Sequence, residues 1–243
     1  MIILAIETTE KFGSVALLEN RGVDVAQFPN CSVLAEVALP KDKRSSQTLH
    51  PALRTLFETT QTAANDVHVV AVVAGPGSFT GLRVGVTAAK VFAYSVGAKV
   101  IALDTFRTVA AALPSHCGVI SVGVDAQRGE VVATVLRQTA SGQIETVREP
   151  ELISVADWWK HSEQYENVLF AGPALERWDG KSPPHIVRAA DSYWFPTASI
   201  AGRLAAEQLA AERLVPRQEE TVWSLLPVYS RLSAAEEKRN AVR

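Results

Sequence analysis

The sequence predicts an α/β protein built from two related lobes, and three observations carry that reading. An apolar run that closes on an acid, then a tight turn and a return strand, occurs at residues 2–18 and again at residues 119–136. A second echo follows in the same order, Val72-Val73-Ala74-Gly75-Pro76 being matched by Val168-Leu169-Phe170-Ala171-Gly172-Pro173. With 243 residues, 47% of them hydrophobic and 21% charged, the chain can bury a core in each lobe and is far from disordered or collagen-like compositions. The lobes are expected at residues 1–103 and 104–243, each of β-β-β-α-β-α type, with the C-terminal segment able to pack back on the first.

Taken in order, residues 2–6 are all apolar and stop at Glu7-Thr8-Thr9, as a buried strand does on reaching a polar turn. Residues 13–18 form the return strand, Arg21-Gly22 a turn, and the alternation over residues 33–39 a third strand. From Ser46 the apolar positions Leu49, Leu53, Leu56 and Phe57 recur at helical spacing, with Ser45 or Ser46 as N-cap and Pro51 tolerable only near the first turn. Residues 67–74 are almost wholly apolar and β-branched, the composition of a strand covered on both faces. After Gly75-Pro76-Gly77-Ser78, residues 80–96 read as a helix and residues 99–103 as a strand. Residues 119–124 end at Asp125, a turn at Gly129 follows, and residues 130–136 return. Residues 197–214 form an amphipathic helix with Ile200, Leu204 and Leu209 on one face, and residues 233–243 a charged tail expected to fray.

Charge and cysteine usage narrow the function classes. Lysine and arginine number 24 against 26 aspartate and glutamate, a net charge of −2, so a direct high-affinity grip on RNA or DNA is not expected. Cys31 and Cys117 match neither a disulfide framework nor a zinc pattern, which points to reducing cytosol. The start MIILAIETTE has no basic region ahead of its apolar run, and no stretch nears 18 apolar residues, so neither secretion nor a membrane span is expected. His50, His68, His116, His161 and His185 never fall three or four residues apart, so no helix offers two imidazoles to one metal ion. His50 and His116 read as packing or surface histidines rather than lone acid–base groups. No G-x-S-x-G nucleophile elbow is present.

Three features remain for function. Residues 75–81, Gly-Pro-Gly-Ser-Phe-Thr-Gly, lie between a strand and a helix, where Gly75, Gly77 and Ser78 could present amides to an anion. The spacing fits neither the dinucleotide fingerprint nor a P-loop, and a sharp turn with close helix packing explains the glycines equally well. Glu7, with Thr8 and Thr9, and Asp125 each tip a strand before a hairpin, either to face nucleotide phosphates or to accept turn amides. The helix at residues 80–96 is apolar or small over an arc of roughly 220°, well above the ~100° of a one-sided helix. Leu82, Val86, Ala89 and Ala93 line one stripe, Val84, Ala88 and Val91 another, and Arg83, Thr87, Lys90 and Tyr94 a polar strip. The helix is therefore sandwiched within its own chain or receives a partner.

ILAIETT, GSVALLE, VLAE, AGPGSFTGLRVGVTAAKVFA, VDAQRGEV and PVYSRLSAAE, in this order over nearly the full length, resemble the TsaB (YeaZ) family of the bacterial threonylcarbamoyl-adenosine tRNA-modification system, within the TsaD-like glycoprotease superfamily. The resemblance implies a two-lobed actin/Hsp70/sugar-kinase-like fold (ASKHA, ribonuclease H-like). It also implies a non-catalytic scaffold that pairs with TsaD and works with the ATPase TsaE, reaches tRNA only through the complex, and forms a homodimer when alone. No cofactor is implied on the chain alone, with ATP and magnesium entering in the complex. The pairing surface would come from helices near residues 46–58 and 80–96, with Ser46, Leu49, Leu53, Leu82, Arg83, Val84, Thr87, Lys90 and Val91 as its residues. Ser45 and Gln47 replace a histidine and glutamate usual in the family, Glu7 stands where aspartate is common, and residues 21–31 lengthen a hairpin. The competing expectation is a stand-alone nucleotide-dependent enzyme or glycoprotease-like hydrolase of the same fold.

Overall fold

The structure, a computed structural model, describes residues 1–21, 31–114, 118–212 and 222–230. The lengthened hairpin, His116, Cys117 and the charged tail lie wholly or mostly outside the described residues.

The chain folds as β1 (Ile2–Glu7), β2 (Ser14–Asn20), β3 (Cys31–Ala38), α1 (Ser45–Thr60), β4 (Val67–Gly75), α2 (Phe79–Val96), β5 (Lys99–Asp104) and α3 (Thr105–Ala112). There follow β6 (Val119–Asp125), β7 (Glu130–Gln138), β8 (Ile144–Ser154), α4 (Val155–Trp159), α5 (His161–Gln164), β9 (Leu169–Ala171), α6 (Ala174–Arg177) and α7 (Ala198–Glu212). The strands make two mixed sheets, ordered β3-β2-β1-β4-β5 and β8-β7-β6-β9. In each, the strand that ends in the acid is central, antiparallel to its hairpin partner and parallel to a later strand. The second sheet thus repeats the order and directions of the first four strands of the other, and the expected α/β class with paired acid-tipped hairpins is what forms.

Alternation along β1 decides what covers the first sheet, because successive side chains leave a strand on opposite faces. Leu4 and Ile6, with Val15 and Leu17, pack under Leu49, Ala52 and Leu56 of α1 and Val86, Ala89 and Ala93 of α2. Ile3 and Ala5, with Ala16 and Leu18, meet Ala198, Ala201, Ala205 and Ala206 of α7. The buried face of α7 is therefore made of small residues, while Ile200 is half-buried and Leu204 and Leu209 reach that core only from its edge. The expected stripe is corrected for a steric reason: a β-carbon at Gly202 would collide with Leu18, so only small residues let the helix sit this close. The start of α7 is held by the first sheet. Ala198 N donates to Ser14 Oγ at 2.9 Å and Ser199 N to the Glu36 carboxylate at 3.1 Å, an acid placed where a helix N-terminus favours one.

Other expectations also shift. Arg44, without a side-chain hydrogen bond, occupies the N-cap of α1, not Ser45 or Ser46, and Pro51 lies inside the helix. Its missing N–H leaves the Gln47 carbonyl without its helical donor, and Gln47 is exposed, so water can serve it. Helix α3 was not expected, and the third strand of the second lobe, β8, was expected without residues assigned to it. In β8, Glu149 and Pro150 fall at a register shift between the pairs Ala133↔Glu151 and Val135↔Arg148, where a proline costs an edge strand no ladder bond. Phe106, Val109 and Ala110 of α3 join the core of the second sheet with Trp158 and Phe170.

Candidate functional site

The approach to α2 is built as a close joint. Ser78 caps the helix, its hydroxyl accepting from Gly81 N at 3.3 Å. Ser78 N donates to Thr9 O at 2.6 Å, and Thr8 Oγ1 donates to Gly81 O at 2.8 Å. A β-carbon on Gly77 would lie 2.6 Å from Thr9 O, and one on Gly81 would strike Thr8 O. At Gly75, which has φ +127, a β-carbon would meet the backbone of Val228. The glycines let the hairpin turn, the loop and a C-terminal segment press together, so the packing alternative for this loop is the one the contacts support.

Glu7 is enclosed in the same joint. Its Oε1 accepts from Thr9 N at 2.6 Å and Thr9 Oγ1 at 2.5 Å, while Oε2 is buried without a partner. Burial, opposed by these hydrogen bonds, lifts its carboxyl from 4.5 to about 7. Glu10 beside it is pushed to about 8 by burial and by the charges of Glu7, Asp125 and Glu176. Asp125 is paired with Arg177 at 2.8 Å and accepts from Gln127 N at 2.9 Å, and Lys11 pairs with Glu176 at 2.6 Å across a cleft of about 370 Å³. One acid closed off and the other already paired do not fit a magnesium–phosphate site within this chain.

These acids set a pH dependence. A carboxyl raised in the folded state keeps a proton that the unfolded chain has lost, so stability falls as pH rises from about 4.5 through about 7 for Glu7 and about 8 for Glu10. His161, lowered by burial, acts in the opposite sense and costs stability as pH falls below 6.5. Melting temperatures measured from pH 5 to 9 are expected to drop and then level above 8, with a shallower drop in Glu7→Gln. An unchanged slope in that variant would mean that Glu7 is ionised at neutrality.

The outer face of α1 and α2 divides the candidate pairing residues. Leu49 and Leu82, 4% and 1% exposed, are spent on the core and hold the helices from beneath. Leu53 and Val84 are half-buried at the edge of that core. Ser46, Arg83 and Thr87 are exposed, and Val91 and Tyr94 stand 64% and 68% open.

Residues 222–230 run along the polar strip of α2. Lys90 Nζ donates to the carbonyls of Trp223 and Leu225 at 3.2 and 3.0 Å, and Arg83 Nε donates to Tyr229 Oη at 3.0 Å. Arg83 also lies 3.9 Å above the Phe79 ring centroid, and the Tyr94 and Trp223 rings are 5.3 Å apart. Leu225 is buried in the α1–α2 core, and Val228 N donates to Ala74 O at 2.7 Å. Part of the broad arc is thus filled from within the chain, and part stays open at Val91. The sequence allows a C-terminal segment to pack back on the first lobe without naming its residues; their signal is the apolar series Trp223, Leu225, Leu226, Val228 and Tyr229 just ahead of a charged tail.

Among the described residues no group of three or more His, Cys, Asp or Glu could hold a metal ion, and no helix is long and apolar enough to cross a membrane. A family model described as TsaD, tRNA N6-adenosine threonylcarbamoyltransferase, matches residues 32–239. The tRNA threonylcarbamoyladenosine biosynthesis protein TsaB of Bacillus subtilis (strain 168) is 34% identical over 173 residues, 71% of each chain. The chain belongs to the TsaB family. TsaB of Escherichia coli (strain K12) is 30% identical over 160 residues, 63% of this chain and 64% of that one. YeaZ from Pseudomonas aeruginosa superposes with a TM-score of 0.71 over 94% of this chain and 99% of its own, at 21% identity, which establishes the shared fold. Membership of the TsaB family agrees with the resemblance carried by the sequence motifs.

Proposed function

We propose that this chain is the non-catalytic scaffold and activator of a threonylcarbamoyl-transfer complex that makes N6-threonylcarbamoyladenosine in tRNA next to the anticodon. It pairs with a TsaD homologue and works with a TsaE homologue in the cytoplasm, meets tRNA only through them, and forms a homodimer when alone. The fold is read as two ASKHA-type lobes at residues 1–103 and 104–243. The observation that carries the pairing role is the outer face of α2, where Val91 is 64% exposed beside Tyr94 on a helix otherwise packed into its own core. Ser46, Leu53, Arg83, Val84, Thr87, Lys90 and Val91 form or border that face, with Leu49 and Leu82 as its support. Helices so presented join a partner's pair by ridges into grooves, and binding there orders the partner without any chemistry on this chain. The enclosed Glu7, the paired Asp125 and the tightly packed loop at Gly75, Gly77 and Ser78, resting on Thr8 and Thr9, support a structural part for those residues.

The test is mass spectrometry of nucleosides from bulk tRNA after depletion of this protein in its own host. Threonylcarbamoyl-adenosine is expected to disappear, and transfer reconstituted from purified TsaD and TsaE homologues is expected to need the added chain. Unchanged nucleoside levels after verified depletion would overturn the assignment.

A further inference from the structure

The strap at residues 222–230 is held by its backbone, by buried Leu225 and by Tyr229, which accepts from Arg83, while Trp223, Leu226 and Val228 stay more than half exposed. Carbonyls of Trp223 and Leu225 hold Lys90, Val228 N holds Ala74 O, and Leu225 alone is buried. Trp223 and Leu226 are 65% and 69% exposed. Of the eleven large hydrophobic side chains exposed among the described residues, seven lie on α2 or this strap. Leaving Trp223, Leu226 and Val228 open within nine residues does nothing for a monomer, and concentrated apolar exposure marks a contact surface.

We infer that residues 222–230 are half of the pairing surface itself: with α2 they form one apolar ridge, anchored by Trp223 and Leu226, that seats an uncharged apolar helical face of the TsaD-type subunit. The inference rests on the pairing proposed above and is continuous with the Val91 face. The charges along the ridge argue for an uncharged occupant. Lys90 is held by strap carbonyls, Arg83 lies between Phe79 and Tyr229, and Arg54 is paired with Glu58 at 2.7 Å, so an acidic partner finds no free cation on these helices to answer it. Aromatic residues set in a rim of satisfied polar groups are the composition of an interface hot spot.

The experiment titrates the full-length chain against the purified TsaD homologue of the same organism and follows affinity by calorimetry. Trp223→Ser with Leu226→Asp is expected to weaken the Kd by about thirty-fold or more, as loss of hot-spot anchors does, with an unchanged melting temperature. Val187→Asp, equally exposed but away from the ridge, is expected to leave the Kd unchanged. Should the double variant melt lower, Leu226→Ser alone repeats the test. If Val91→Asp weakens pairing and the strap variant does not, the strap inference is overturned and the α2 reading stands. If neither weakens it, both fail. If the strap variant loses only self-association, the ridge serves a second copy and the inference is overturned.

Discussion

Alanine in place of Trp158 is expected to destabilise the chain by about 4 kcal/mol, the cost of emptying a core aromatic site. Trp158 is wholly buried, stacked on Trp159 at 4.6 Å and edge-on to Phe170 at 5.4 Å. The ring lies where a side chain on Gly123 would stand, so the cavity left behind cannot be filled by a neighbour on that strand. A polar debt adds to the packing loss. Trp158 Nε1 donates to Ser121 Oγ at 2.9 Å, and that hydroxyl also meets His161 Nδ1 at 2.9 Å, both residues being buried. Trp158→Phe restores most of the packing but not the donor, and is expected to lose an intermediate amount. Urea unfolding followed at equilibrium checks both. A loss under about 1 kcal/mol for the alanine variant would show that the second sheet can collapse into the space.

The second large effect is expected at Gly81. Valine there must drive its β-carbon into the Thr8 carbonyl, which is backbone at the buried end of β1 and cannot swing aside. A cost of about 3 kcal/mol follows from overpacking against a fixed backbone, and the displaced start of α2 carries the pairing face with it, so partner binding is expected to fall in the same variant. Gly97 is the control. It has φ +68 and open space around it, so Gly97→Ala has only conformational strain to bear, about 1 kcal/mol. Equal losses at the two positions, read from denaturant midpoints, would refute the steric account of the joint.

What was legible in the sequence was whatever local pattern decides. Strands β1 and β4 are apolar apart from Glu7 and His68 because both faces of the first sheet are covered, and that composition needs no partner to be read. Strand β8 was illegible because an edge strand answers to its neighbour. Its Ile144–Ser154 sequence carries Glu145, Arg148, Glu149, Pro150 and Glu151, and the bulge that excuses the proline exists only against β7. The face of α7 was misread because hydrophobic size, rather than closeness of approach, set the expectation, and the alanines are what the sheet admits. At the candidate site, helical spacing found the two helices but could not say that Leu49 and Leu82 turn inward. The strap's particular contacts were illegible for a related reason: Lys90 and Trp223 stand 133 residues apart and no periodicity joins them.

The docking of α7 has a consequence for synthesis. The hydroxyl that receives its first amide lies 184 residues earlier in the chain, so the back of the first sheet has no cover from α7 until that helix has been made. At about 5–20 residues per second that interval is roughly 10 to 40 s. Throughout it Ile3, Ala5, Ala16 and Leu18 have only solvent, the ribosome or a chaperone to meet. Strands β1 and β2 leave the exit tunnel long before the helix that seals them has been made.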